Sequence, residues 1–138
     1  DASSFVVIAS PEPAALAEAA HLERTLTGDM QLPFSGFILN RSWAYTRGLT
    51  SPSDLVLPKD ATSVEHAALA KLDQLASEEL RLAERDRRLL ASLRHPGAEA
   101  VATPQLDGDI DFAALLLIAE SLVAPARGEE ALEIPKSR

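Results

Sequence analysis

Three short apolar runs, each of four to six residues, punctuate the chain, and longer stretches of helical period separate them. FVVIAS at 5–10 carries Phe, two Val and Ile with almost no polar interruption. Such a run predicts a strand buried on both faces, as in a parallel sheet. GFILN at 36–40 and EAVATP at 99–104 predict two further strands. Between the first two lies AALAEAAHLERTL, whose Leu16, Ala19, Ala20, Glu23 and Leu26 fall near one side of a helix. Ser10 is its expected cap, Pro11 its first position and Gly28 its terminator, which places Glu12 in the first turn. Thr62-Ser-Val-Glu65 reads as a capping box, and a helix over 63–94 is predicted behind it. Its apolar positions (Val64, Ala68, Leu69, Leu72, Leu75, Leu82, Leu89, Leu90, Leu93) keep close to a period of 3.6. Glu84 precedes Arg88 by four residues on the charged side. His95-Pro96-Gly97 ends that helix, and IDFAALLLIAESLVA predicts a last one, capped by Asp107 or Asp109 and closed by Pro125. Residues 41–61 show no period and read as a long loop.

The order is therefore β-α-β-(loop)-α-β-α, which predicts a three-layer α/β unit with a short parallel sheet over residues 1–124 and a polar tail over 125–138. In open sheets of this kind ligands gather at the carboxyl ends of the strands. Those ends are Ser10-Pro11-Glu12, Asn40-Arg41 and Thr103-Pro104-Gln105. All three break from apolar strands into polar or turn-forming residues.

Composition narrows the classes. With 138 residues the chain suits one domain, and 46% apolar residues allow a real core. Aromatics are 4%, so that core is aliphatic. A net charge of -8 argues against nucleic acid as a partner, because phosphates would be repelled. There is no cysteine, which excludes disulfides and thiolate metal sites and fits a cytoplasmic setting. The longest apolar run, AALLLIAESLVA, falls short of the roughly 20 residues a membrane span needs. Asp1 is not an initiator residue, and the chain reads as a processed product or a fragment.

Asn40 offers both donors and an acceptor and so can read an adenine edge; it is equally a common turn residue. Pro104 fixes the backbone and removes one donor, leaving carbonyls to face a flat base, or simply ends a strand. Glu12 near a helix start is favoured by the dipole whatever else it does.

FVVIASPEPAALAEAAHLERTL, LPFSGFILNRSW, the long charged helix and AVATPQLDGDIDFAALLLIAESL together resemble the C-terminal half of the arsenite-pump and tail-anchored-protein-targeting ATPases, a deviant P-loop group related to MinD. The similarity covers residues 4 to 122. It implies a partial P-loop NTPase unit, Rossmann-like, that binds ATP. The family's adenine-contacting Asn falls on Asn40, followed here by Arg41. Its adenine loop falls on Pro104, Gln105 and Leu106, with Asp107 and Asp109 near the acidic helix start. Its nucleotide-proximal Glu matches Glu12, although Pro11 and Pro13 alter the local register. Implied partners are the N-terminal half of the same protein, a second copy in a dimer, and a membrane-protein cargo or transporter. The protein would then be cytoplasmic and peripheral to a membrane transporter.

The Gly-rich phosphate loop, its lysines, the Mg²⁺-binding hydroxyl and the water-positioning aspartate are missing from residues 1–138, as are the family's zinc- and metalloid-binding cysteines. Without those donors phosphoryl transfer has no electrostatic support. The intact protein is expected to hydrolyse ATP with Mg²⁺, and this stretch alone is expected not to. The alternative is a non-catalytic interaction or dimerisation module, using an open edge of the FVVIAS strand.

The remaining polar groups read blandly. His21, His66 and His95 are scattered without metal-ligand spacing, and Ser10 lacks a nucleophile elbow. Arg81, Arg85, Arg87 and Arg88 sit among Glu78, Glu79, Glu84 and Asp86, which suggests a solvated face. Trp43 and Tyr45 are expected to anchor the loop to the core or to meet a nucleotide or partner.

Overall fold

The computed structural model describes residues 3–45, 56–106 and 108–123. Three strands form one parallel sheet in the order β1 (Phe5–Ala9), β2 (Phe34–Ser42), β3 (Glu99–Pro104), with β2 in the centre. Each connection runs through a helix, α1 (Pro13–Arg24) and then α2 (Ser63–Leu93), because parallel neighbours cannot be joined by a tight turn. A third helix, α3 (Phe112–Val123), follows β3. The α/β class and the short parallel sheet are thus what the hydrophobic pattern predicts.

Strand alternation builds the core. Val7 lies opposite Phe37 and Ala9 opposite Leu39; Phe37 lies opposite Ala100 and Leu39 opposite Ala102. All six are buried, so one face of the sheet is lined in register. Leu16, Ala19 and Leu26 of the first helical segment and Leu89, Leu90 and Leu93 of α2 pack on that face. Small residues on β3 let α2 approach the sheet closely. Gly36 has a stricter reason: its φ is +144°, and a Cβ there would stand 1.9 Å from the Glu99 carbonyl oxygen.

The other face is different. Val6 is 48% and Ile8 64% exposed, and Phe5 is also exposed, so β1 is an edge strand buried on one side only. The uninterrupted apolar run correctly signals parallel pairing, but among the described residues no second layer covers β1. α3 packs along β3 through Ala114, Ile118 and Ser121, and Tyr45 donates its hydroxyl to the Ser121 carbonyl at 2.9 Å. Leu115, Leu116, Leu117 and Leu122 on the same helix are exposed. None of the helices among the described residues is long and apolar enough to cross a membrane.

Several boundaries shift for local reasons. α1 begins at Pro13 with Glu12 as its cap residue, two positions later than Ser10 and Pro11 would have set it. Its end widens into a π-type turn, Thr25–Asp29, closed by the Met30 amide on the Thr25 carbonyl at 2.9 Å; Gly28 lies inside this turn and is not a left-handed terminator. The end of α2 is as expected, since Pro96-Gly97 forms the turn between His95 and Ala98 with Gly97 at φ +93°. His95 also reaches Glu23 at 2.6 Å and ties the ends of α1 and α2 together. The last helix is capped by Asp111, whose carboxylate accepts from the Ala114 amide at 2.8 Å, and not by Asp109. Asp107 and the tail from 124 onward lie outside the described residues.

Candidate functional site

Parallel pairing brings all three strand ends to one rim. β1 ends at Ala9 opposite Leu39, so the turn that carries Glu12 leaves the sheet on the rim where Asn40 lies; β3 ends at Pro104, opposite Ser42. Asn40 and Arg41, on the central strand, lie between the Glu12 and Pro104 loops, which strand spacing separates by roughly 10 Å.

β2 does not stop at Asn40. The strand bulges there, with Arg41 at φ +58°, and pairing resumes at Ser42. Residues 41–45, expected as loop, are an ordered strand end followed by a 3₁₀ turn, Trp43–Tyr45. A non-glycine residue in the left-handed region costs of order 1 kcal/mol or more and persists only where its surroundings hold it. The holding bonds are visible. The Thr103 hydroxyl accepts from the Arg41 amide at 3.3 Å and donates to the Asn40 carboxamide oxygen at 2.7 Å. The Arg41 side chain donates to the Gln105 carboxamide oxygen at 3.3 Å, and the Gln105 amide to the Ser42 carbonyl at 2.9 Å.

Asn40, bonded to Thr103, and Arg41, bonded to Gln105, are therefore neighbours of the Pro104–Leu106 loop on one rim. Asn40, Arg41 and Glu12 are exposed; Pro104, Gln105 and Leu106 are half-buried. Glu12 makes no side-chain cap bond to its own helix. The Asn40 carboxamide oxygen accepts from Thr103, and its NH₂ is the donor the side chain still has to offer.

Behind the bulge lies a group that sequence reasoning misplaced. Asp86 of α2, expected on a solvated charged face, is fully buried. One carboxylate oxygen accepts from the Ser42 hydroxyl at 3.1 Å and from the Trp43 amide at 2.8 Å; the other pairs with half-exposed Arg85 at 2.7 Å. Ser42 in turn accepts from the Ala44 amide at 3.1 Å. A carboxylate can stay in the interior when its lone pairs are this well satisfied. Tyr45 anchors to the core as expected.

The rim offers a carboxamide, a guanidinium and loop carbonyls, and among the described residues no group of three His, Asp or Glu side chains converges. Searched against protein-family models and curated proteins, the chain matches none.

Proposed function

We infer that this chain is the adenine-binding half of an arsenite-pump-like ATPase, with phosphates, Mg²⁺ and hydrolysis supplied from outside residues 1–138. The observation that supports it most is the direct bonding of the Asn40–Arg41 bulge to the Pro104–Leu106 loop through Thr103 and Gln105. With its oxygen bonded to Thr103, Asn40 donates from its NH₂ to a ring nitrogen of adenine, while loop carbonyls accept from the exocyclic amine. The Arg41 guanidinium, steadied by Gln105, lies flat beside such a base. On this reading ATP binds in the intact protein, which works as a homodimer at the cytoplasmic side of a membrane. Its helical region drives anion transport or the targeting of a membrane-protein cargo. The stretch alone binds the nucleoside weakly and turns nothing over.

Titrating adenosine into isotope-labelled chain, followed by NMR, tests the reading. The amides of Asn40, Arg41, Gln105 and Leu106 are expected to shift, Asn40→Ala is expected to abolish the shifts, and pyrophosphate is expected to leave them unmoved. Guanine presents the opposite donor and acceptor pattern on that edge. If guanosine acts equally well, or adenosine moves none of these amides, the reading fails.

A second reading has its own support. Val6 and Ile8 on an edge strand and the exposed leucines of α3 form apolar surface that a solvated domain rarely leaves open. A non-catalytic interaction or dimerisation module would use that surface. Light scattering that finds a nucleotide-independent dimer, together with no adenosine shift at the rim, favours the module.

A further inference from the structure

The left-handed Arg41 and the buried Asp86 belong to different elements but to one bonded chain. Asp86 lies on the part of α2 that packs against the sheet, and it holds Ser42 and Trp43, the residues that leave the bulge. Ser42 also carries the resumed pairing with Pro104 and accepts from the Gln105 amide. Only Arg41 separates Ser42 from Asn40. A shift of α2 therefore moves the Ser42 anchor, and the anchor sets how Arg41 turns and where the Asn40 carboxamide points. One turn to either side, Ala83 and Leu90 are buried as apolar residues, so at this level of α2 the carboxylate is there to accept from Ser42 and Trp43.

We propose that Asp86 is a positioning residue that sets the geometry of the Asn40–Arg41 bulge and so makes base binding at the rim depend on how α2 is seated. Its effect on a base rests on the adenine reading; its control of the bulge does not. Asp86 touches no ligand and acts through Ser42 and Trp43.

The test uses Asp86→Asn and Ser42→Ala, with Leu93→Ala as a variant that removes core packing about two turns beyond Asp86 and leaves the helix seated on Ser42 and Trp43. Without ligand, Asp86→Asn is expected to shift the Asn40 side-chain NH₂ and Arg41 amide resonances. It is also expected to speed exchange of the Trp43 amide by on the order of tenfold, as loss of one charge-assisted bond implies. Ser42→Ala, which keeps the Trp43 and Arg85 contacts, is expected to shift the same two resonances less and serves where Asp86→Asn does not fold. Leu93→Ala is expected to lower the unfolding midpoint and leave the Asn40 signal in place. Adenosine affinity is expected to fall on the order of tenfold in Asp86→Asn. Folded variants whose Asn40 and Arg41 signals match the parent overturn the proposal, as does a Leu93→Ala chain that moves them equally. If the parent binds no adenosine, the base reading fails, and the resonances of the unliganded chains still decide the role of Asp86.

Discussion

The two halves of α2 carry the same kind of sequence and meet different fates. From Leu82 to Leu93 the apolar stripe packs on the sheet, with Ala83, Asp86 and Leu90 buried. From Ser63 to Leu80 it does not: Leu72 and Leu75 are about half exposed and Val64 is 75% exposed. A leucine repeat marks a face but does not name its partner, and this helix has found one for half its length. The packed half is also where α2 touches the residues behind the candidate rim, through Asp86.

The largest expected contrast is in stability. Leu90→Ala removes a buried side chain and is expected to cost about 2–5 kcal/mol, while Leu72→Ala on the projecting half is expected to cost under about 0.5 kcal/mol. Urea titrations of the two variants give the comparison directly. Equal losses would mean that the projecting half is covered in solution.

A smaller effect belongs to the far end of the projecting half. The Thr62 hydroxyl accepts from the Glu65 amide, and the Glu65 carboxylate accepts from the Thr62 amide at 2.7 Å. Thr62→Ala is expected to cost about 1 kcal/mol of local helix stability. Amide exchange should quicken at Glu65 and His66 and stay unchanged at Leu90. Equal acceleration at Leu90 would show the helix opening as one unit. The same cap is sensitive to acid: hydrogen bonds from the Thr62 backbone and then its hydroxyl hold the Glu65 carboxyl below its usual value. A depressed carboxylate contributes stability that is present above its unfolded value and lost as pH falls through its folded one. Fraying of the first turn is therefore expected from about pH 4.3 downward, and Glu65→Gln should flatten that pH dependence.

The smallest effect is expected at the exposed Glu84–Arg88 pair, 2.9 Å apart on the packed half. Arg88→Ala should change stability by less than about 0.5 kcal/mol, because water and salt screen such pairs. A loss comparable to that of Leu90→Ala would show that its outward face is covered too.

Much of this arrangement is legible before folding. The capping box, the Pro-Gly stop and the strand EAVATP depend on neighbours a few residues apart, and each forms where its residues predict. Near-duplicated signals are less legible. Ser10-Pro11 and Glu12-Pro13 are both helix starts, and the second is used. Asp109 and Asp111 both suit a cap, and Asp111 serves. Asp86 is the hardest case, because in RLAERDRRLL it looks like every other charge. Only the approach of Ser42 and Trp43, more than 40 residues earlier, makes it an interior acceptor.

Local chemistry in the sequence determined the parallel strands, the long capped helix and the polar character of the strand ends, because those follow from periodicity and backbone constraints within short windows. Tertiary structure alone decided that β1 keeps one face open, that half of α2 projects, and that Asn40 spends its acceptor on Thr103 while Asp86 holds the bulge from behind. Burial and hydrogen-bond partners come from residues distant in sequence, and one-dimensional patterns do not record which distant groups meet.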